Sequence, residues 1–454
     1  MFTLKKPDPA RARAYRFAFH MAWPAVVESF FVSFAGLVDS LMVSSLGSSS
    51  VAAVGLTTQP KFISLCFFLA LNVAISALVA RRRGQQDQRG ANRVLLTAFI
   101  ITLVVGVLIS ALCVAGAETI MGWAGANEDT LASSTLYFRI ISGGMIFNVM
   151  FLAINAAQRG SGNTRIAMYT NVTGNLVNIV GNYFLINGHF GFPALGIQGA
   201  AMATVLGTIV AFFMSLSSLF RKDSFVSLPY LLREKVRPRM ESLKGLAKLG
   251  SSVLLEQLLM RVGFMTTALM AAKLGTDAFA AHNVGMNLLS LSFSFGDGMQ
   301  AAAVALIGRS LGEKKPQQAM EYGFACQRIG LCISLCIFAI YFLGGRALYG
   351  LFFEEAHIIE YGVQILRVLS FTVMAQISGV IFMGSLRGAG DVIYTTCAST
   401  ISVTLVRTIT GYFFCYQMGW GLIGLWLGIF SDQACRLIFS GLRFKSGSWT
   451  KLKI

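Results

Sequence analysis

Residues 62–84 read FISLCFFLALNVAISALVARRRG, and this stretch decides the class of fold. Its first part, 62–80, carries no charge and approaches the length of about 20 apolar residues that a helix needs to cross a bilayer. Apolar and polar residues do not alternate in it, so the pattern predicts a membrane-spanning helix rather than a strand. Three arginines end the run at 81–83, which is typical of a helix that stops at a membrane surface.

Eleven other apolar runs of similar length occur in the 454-residue chain. Hydrophobic residues make up 55% of the sequence and charged residues 13%, which is about half the charged share of an average soluble domain. This composition excludes a soluble fold, and it excludes disorder because disordered chains are poor in apolar residues. We therefore predict an all-α polytopic membrane protein with twelve transmembrane helices. The predicted spans are 17–43, 51–80, 94–115, 132–157, 166–187, 196–220, 246–274, 279–308, 322–345, 358–386, 392–416 and 420–441.

The net charge of +17 reflects where the 37 basic residues lie. Most of them occupy seven short segments, which are the two ends of the chain and every second loop between the spans. The positive-inside rule then places both termini in the cytoplasm. A nucleic-acid surface would also be basic, but charges scattered in this way do not favour it, so no nucleic-acid partner is expected.

The chain also repeats itself with an offset of 228 residues. Arg159-Gly160-x-Gly162 matches Arg387-Gly388-x-Gly390, and further matches at this offset extend over five helices. Each half has six spans, an even number, so both halves enter the membrane from the same side as parallel repeats. Two such lobes around a central cleft are typical of alternating-access carriers, although a channel could also use twelve helices. The predicted segments are an N-lobe at 1–220 (helices 1–6), a cytoplasmic linker at 221–245 and a C-lobe at 246–454 (helices 7–12).

Span 1 contains two carboxylates, Glu28 and Asp39, in an otherwise apolar stretch. They are eleven residues apart, close to three helical turns, so both face the same way. Pro24, one turn before Glu28, donates no backbone hydrogen bond and is predicted to be a hinge. An ionisable group in the bilayer is by default a functional hypothesis, and buried acids beside a packing kink are the alternative. The repeat places Glu256 of span 7 at the position of Glu28.

A stripe of asparagines in span 5 supplies possible partners for these acids. A carboxylate with amide oxygens suits Na⁺, which prefers oxygen ligands. The same carboxylate could equally hold a proton, because burial disfavours its charged form. Asparagine stripes also hold helices together, and this alternative stays open for the first two of the four. The four are Asn171, Asn175, Asn178 and Asn182.

Enzymatic chemistry finds little support in the sequence. The eight cysteines lie inside predicted spans without a C-x-x-C pair, and no nucleotide-binding loop or nucleophile motif occurs. We therefore expect no enzymatic activity, no catalytic residues and no resident metal or cofactor. Asp297, Asp432 and Arg436 are interpreted as local structural pairs, and Lys61 and Arg407 as side chains that snorkel or neutralise neighbouring acids.

Several motifs together resemble the multidrug and toxic compound extrusion (MATE) family over nearly the whole chain. The resemblance implies an exporter of organic cations and drugs in a bacterial plasma (inner) membrane. It further implies that Na⁺ or H⁺ enters as the coupling ion while the substrate leaves, with no other cofactor. The motifs are Val38-Asp39-Ser40, Arg81-x-x-Gly84, Arg159-Gly160-x-Gly162, Asn178-x-x-x-Asn182-Tyr183, Ala280-Ala281-His282-Asn283 and Gly384-Ser385-Leu386-Arg387-Gly388.

The resemblance also implies roles for particular residues. Asp39 matches the aspartate of the family's first helix, and Pro24 matches the proline whose bending is linked to protonation of that aspartate. Asn155 and Asn178 match polar positions of the N-lobe cavity. Glu256 matches the glutamate of the cation site in the NorM-like branch.

Two departures from the family pattern shape the prediction. Asn182 stands where the DinF-like branch has aspartate, so the chain is more similar to the NorM-like side. Gln376 stands where NorM-like proteins have a second C-lobe aspartate, which shifts the predicted ion site towards Asp39. We predict a monomeric antiporter, with a lipid-linked oligosaccharide flippase as the alternative. The predicted residues are Asp39, Asn178, Asn182 and Glu256 for cation coupling, Glu28, Asn155 and Gln376 for the substrate cavity, and Pro24 for the hinge.

Overall fold

The computed structural model describes residues 9–44, 46, 48–221 and 224–452. Within these ranges the regular elements are helices, and we number the α-helices in chain order. They are α1 Pro9–Ser44, α2 Ser48–Gly84, α3 Gln88–Ala115, α4 Ala117–Trp123, α5 Glu128–Gly143, α6 Met145–Gly160, α7 Thr164–Asn187, α8 Ile197–Ser218, α9 Leu228–Arg233, α10 Met240–Ala272, α11 Thr276–Gly312, α12 Pro316–Gly350, α13 Ala356–Gly388, α14 Val392–Gln417 and α15 Gly421–Lys445.

Twelve spans result when α5 and α6 are taken together and the short helices α4 and α9 are set aside. α5 and α6 meet at Gly144 with a bend of 44°, so the predicted span 132–157 is one broken helix. In the described part of the chain, nine helices, or ten spans with the bent pair, are long and apolar enough to cross a membrane. The other two spans, α7 and α11, carry more polar residues, such as the four asparagines of α7.

α14 differs from its repeat counterpart α7 because it contains two π-helical segments, Ile401–Val406 and Phe413–Gln417. Three hydrogen bonds link it to α10, and their sequence separations increase along the helix from 144 to 145 and then 146. A π turn accommodates an extra residue in a helix, so the growing separation follows from these segments. Between α1 and α7 the corresponding separation stays at 143.

The chain forms two compact units. The N-terminal unit is Val27–Gly250, and the C-terminal unit contains the chain up to Val26 together with Ser251–Ile454. The boundary therefore lies within α1, two residues after Pro24, whereas the lobes drawn from the sequence divide the chain at 220 and 246. The first part of α1 belongs to the C-terminal unit because Ala18 and Met21 are buried in that unit's core.

Each unit has its own apolar core. In the C-terminal unit Leu306, Leu366 and Trp426 are completely or almost completely buried, and they come from α11, α13 and α15. In the N-terminal unit, Phe68 of α2 and Val149 of α6 are buried in one apolar cluster. These helices are the scaffold that holds the polar residues of α1, α7 and α10 in place.

The segment that joins the two repeats is fixed to the start of α3. Asn92 donates a hydrogen bond to the carbonyl of Phe225 at 2.9 Å and accepts one from the backbone N–H of Ser227 at 2.8 Å. The guanidinium of Arg83 lies over the Phe225 ring, 4.2 Å from its centre. The predicted linker is thus held along part of its length by contacts with the end of α2 and the start of α3.

Gly160 and Gly388, which the repeat relates, are both points where two helices approach closely. A Cβ atom on Gly160 would lie 2.5 Å from the carbonyl oxygen of Ser76, and one on Gly388 would lie 2.7 Å from that of Val304. Ser76 and Val304 are themselves 228 residues apart. The contact of α6 with α2 therefore recurs as the contact of α13 with α11, and only glycine fits at either position.

We expect Gly160→Val and Gly388→Val to destabilise the protein to a similar extent. Overpacking costs about 1–3 kcal/mol, and a clash with backbone atoms that cannot move aside puts both variants at the upper end. Gly143→Val is the matched control, because a Cβ atom at Gly143 meets nothing within 4 Å. Thermal unfolding in detergent measures the effect. An equal loss in all three variants would show that the close approach is not the cause.

Candidate functional site

The two carboxylates of α1 both face α7. Asn171 donates to Oε1 of Glu28 at 2.7 Å, and Asn182 donates to Oδ1 of Asp39 at 2.6 Å. Each pair is separated by 143 residues, so the two helices run side by side in constant register over three turns. The eleven-residue spacing of the acids is thus matched by the eleven-residue spacing of two asparagines.

Glu28 has a second and stronger partner. Nη1 of Arg159, near the end of α6, donates to Oε1 of Glu28 at 2.8 Å, and both side chains are largely buried. The other oxygen, Oε2, is buried without a hydrogen-bond partner in the described part of the chain. One guanidinium and one amide therefore both donate hydrogen bonds to the same oxygen of this carboxylate.

Glu256 forms the equivalent pair in the C-terminal unit. Nη2 of Arg387 donates to Oε1 of Glu256 at 2.5 Å, with side chains 9% and 2% exposed. Both Glu28–Arg159 and Glu256–Arg387 are separated by 131 residues, and both partners follow the 228-residue repeat. As in the first pair, Oε2 of Glu256 is buried without a hydrogen-bond partner among the described residues.

Asp39 has a different environment from the two glutamates. Its carboxylate is half-buried and accepts from Asn182, and within the described chain no basic nitrogen lies within 4 Å of it. Lys61 of α2 interacts with its charge at longer range. Of Glu28, Asp39 and Glu256, Asp39 is therefore the one whose charge no arginine contacts in the described part of the chain.

Three further side chains extend this polar cluster. Asn178 donates to Oγ1 of Thr204 on α8 at 3.1 Å. Tyr137 on α5 lies near both Thr204 and the carboxylate of Asp39. Asn178 thus reaches Asp39 only through neighbours, while Asn182 contacts it directly.

The remaining predicted residues are placed apart from this cluster. Asn155 is fully buried, donates to Thr170 at 2.9 Å and accepts from Ser215 at 3.0 Å, so it links α6, α7 and α8. Gln376 is fully buried on α13, and neither of its amide atoms has a hydrogen-bond partner among the described residues. Pro24 is buried inside α1, and its role as a hinge stays a prediction.

A cavity of about 300 Å³ lies within the C-terminal unit. Four charged residues line it, Glu256 and Asp297 with negative charge and Arg387 and Arg436 with positive charge. Behind Arg436 is the fully buried Asp432, which binds the guanidinium groups of both Arg436 and Arg407. The cavity wall therefore carries equal numbers of positively and negatively charged side chains.

Sequence reasoning missed the arginines at this site. Arg159 and Arg387 lie in basic loop segments, so from the sequence alone they indicate only how the chain is oriented in the membrane. Their long side chains reach back from the helix ends to the acids, as guanidinium groups on apolar stems can. The signal was present, since both partners obey the same repeat. Tyr137 and Thr204 carried no comparable signal.

The fold and the site together define a class. The protein is a helical membrane protein of two repeats, with carboxylates held inside its spanning helices, and this is the architecture of secondary transporters. The sequence profile of the MatE family matches residues 24–184 and 253–413, once in each repeat, and the chain belongs to that family. The predicted resemblance is confirmed.

Relatives support this assignment over nearly the whole chain. The probable multidrug resistance protein NorM of Thermotoga maritima is 26% identical over 435 residues, covering 95% of this chain and 92% of that protein. The uncharacterized transporter YisQ of Bacillus subtilis is 24% identical over 431 residues, covering 95% and 94%. A solved outward-facing multidrug resistance MATE family transporter of the MOP superfamily has a TM-score of 0.88 at 24% identity, covering 98% and 99%. The prediction of an all-α, twelve-helix protein with two lobes is confirmed.

Proposed function

We propose that the protein is a secondary active antiporter that exports lipophilic organic cations in exchange for H⁺. The observation that carries this proposal is the environment of Asp39. Its carboxylate lies inside a membrane-spanning helix and is bound by the Asn182 amide at 2.6 Å instead of by an arginine. Its charge is therefore available to an ion that enters and leaves during transport.

The polar atoms around Asp39 favour H⁺ over Na⁺. Asn182 presents its amide nitrogen to the carboxylate, and Asn178 uses its own amide nitrogen on Thr204. Na⁺ prefers several oxygen ligands, whereas a proton needs only the carboxylate itself. We assign Asn182 as the residue that orients Asp39, and Asn178 as a positioning residue that acts through Thr204.

Glu256, predicted as a second coupling residue, takes a different role in this proposal. Arg387 already occupies one of its oxygens, so an entering cation would have to compete with a tethered one. Glu28 and Gln376 both keep buried polar atoms without a hydrogen-bond partner among the described residues, as Glu256 also does. We propose that Glu28 and Gln376 contact substrate, while Asn155 holds helices together.

Coupling follows from mutual exclusion between the two cargoes. Reciprocal linkage requires that protonation of Asp39 weakens binding of the organic cation and that the cation weakens protonation. When the protein lies in the plasma membrane with both termini in the cytoplasm, protons enter the cell as organic cations leave it. Alkaline phosphatase fused to the C-terminus would be inactive in this orientation and active in the opposite one. Each unit builds its polar site from its own residues, so we propose that a monomer suffices.

Ethidium efflux from proteoliposomes tests the proposal, with a pH gradient and a Na⁺ gradient imposed separately. We expect efflux with the pH gradient and none above background with the Na⁺ gradient. Efflux with the Na⁺ gradient alone would contradict the assignment of the ion. Equal flux without any gradient would identify a passive channel.

The cavity of the C-terminal unit argues against the flippase alternative. A carrier of lipid-linked oligosaccharides needs a cationic cavity for pyrophosphate. Here Glu256 and Asp297 balance Arg387 and Arg436, so the four charged residues on the cavity wall carry no net positive charge.

A further inference from the structure

We propose that the cavity of the C-terminal unit binds a small aromatic zwitterion, a molecule that carries an ammonium group and a carboxylate. The proposal rests on the export function above, because it names a second substrate class for the same protein. The cavity is separate from the Asp39 cluster, which lies in the N-terminal unit. Its volume of about 300 Å³ is at the lower end for small-molecule sites, so the ligand is smaller than a typical drug.

The charges on the cavity wall are arranged in two parts. Glu256 and Arg387 neutralise each other at 2.5 Å. Asp432 is shared by Arg407 at 2.6 Å and Arg436 at 3.1 Å, so that group carries one positive charge in excess. Asp297 supplies the opposing negative charge, and its side chain is exposed. A cation alone would satisfy Asp297 and be opposed by Arg436, whereas a zwitterion satisfies both.

Unpartnered polar atoms point to a ligand that hydrogen-bonds. Oε2 of Glu256, Nε of Arg387 and Oγ of Ser399 are buried without hydrogen-bond partners among the described residues, and all three residues line the cavity. A buried polar atom costs stability unless something in the cavity bonds to it. An ammonium group donates to the carboxylate, and a ligand carboxylate accepts from the guanidinium.

Aromatic side chains complete the wall. Phe264 and Phe293 line the same cavity as the four charged residues. Rings in this position pack against an apolar or aromatic ligand body, as most small-molecule sites do. This combination selects a ligand that has both a flat apolar part and two opposite charges.

The repeat shows that the fold does not require these charges. Asp297 corresponds to Leu69 in the first repeat, and Arg436 corresponds to Thr208. Only the Glu256–Arg387 pair has a charged equivalent in the N-terminal unit. The same helix arrangement is therefore built without Asp297 and Arg436. Arg436 also pairs with the buried Asp432, so Asp297 is the charged residue of this wall for which ligand recognition is the main reason.

Equilibrium binding of tritiated tryptophan to the purified full-length protein in detergent tests the site. Tryptophan has both charges and an aromatic ring, and tryptophanamide has the same size without the carboxylate. We expect tryptophan to bind about 10-fold or more tightly than tryptophanamide, the difference that one charge-assisted hydrogen bond gives. Equal affinity for the two would overturn the proposal.

Variants of Asp297 separate recognition from folding. Asp297→Asn should weaken both probes about 10-fold or more, since both carry the ammonium group, and Asp297→Glu should retain binding. Asp277→Asn, on the same helix but exposed and paired with His357, should change neither affinity. Unchanged binding in Asp297→Asn would overturn the assignment of this residue.

The binding measurement is independent of export. It requires no gradient, so tryptophan binding without gradient-driven ethidium efflux would contradict the proposed function alone. Ethidium efflux with no difference between tryptophan and tryptophanamide would contradict the zwitterion site alone.

Discussion

Arg387→Gln should lower the free energy of unfolding by about 3–5 kcal/mol, the usual loss when one partner of a buried ion pair is removed. Glu256 would remain with its side chain 2% exposed and no cation in contact. The loss is large because both side chains are largely buried and the charge of Glu256 would be left without its partner. Thermal unfolding of the purified protein in detergent, followed by loss of the elution peak of the folded protein, measures it.

A second substitution shows whether the unpaired charge is the cause. Glu256→Gln in the Arg387→Gln background removes that charge and should recover a large part of the lost stability, since both members of the pair are then neutral. Asp277→Asn breaks an exposed contact with His357 and should cost less than about 1 kcal/mol. If Arg387→Gln is no more harmful than Asp277→Asn, the pair does not hold α10 to α13.

The equivalent pair in the N-terminal unit should behave in the same way but less strongly. Arg159 and Glu28 are 16% and 10% exposed, more than the second pair, and Asn171 still donates to Glu28 after Arg159 is replaced. We therefore expect Arg159→Gln to be destabilising by a smaller amount than Arg387→Gln. The order of the two melting temperatures checks this.

Asp39→Asn should reduce gradient-driven ethidium efflux at least about 10-fold, because an amide cannot alternate between a charged and a neutral form and the coupling between the two cargoes is lost. Binding of ethidium without a gradient should be weaker than in the unmodified protein, because asparagine resembles the protonated carboxyl group that disfavours the cation. The folded structure should survive, since asparagine is similar in size and Asp39 has no buried ion pair to break. Efflux from proteoliposomes and binding in detergent measure the two properties separately.

Asp129→Asn is the matched control in the same unit. Asp129 is exposed in the first turn of α5 and makes no contact with the Asp39 cluster, so its efflux should equal that of the unmodified protein. Full gradient-driven efflux by Asp39→Asn would remove Asp39 from the coupling mechanism.

Much of the fold was predictable because the signals are local. The length and apolar character of each run predicts a span, and the 228-residue repeat predicts two similar halves. The bend between α5 and α6 was not predicted, although Gly143 and Gly144 stand at it, because paired glycines permit a break without requiring one. The π-helical segments of α14 likewise depend on packing against α10 and leave no clear mark in the sequence.

The candidate site was predictable in its acids and asparagines but not in its arginines. Eleven-residue spacing on α1 and on α7 places four polar groups in register, and the structure forms both hydrogen bonds. Arg159 and Arg387 lie where the chain turns, and only three-dimensional reach decides whether such a side chain faces the loop or an acid. Glu28 and Glu256 each contact one of these arginines, whereas Asp39 is bound by an asparagine.

The most direct test of this account is to measure which acid moves the proton. Proteoliposomes that contain a trapped pH indicator report proton movement when ethidium is added to the unmodified protein, to Asp39→Asn and to Glu256→Gln. The account predicts an ethidium-dependent pH change in the unmodified protein and in Glu256→Gln, and none in Asp39→Asn. Proton movement that persists in Asp39→Asn and disappears in Glu256→Gln would contradict it.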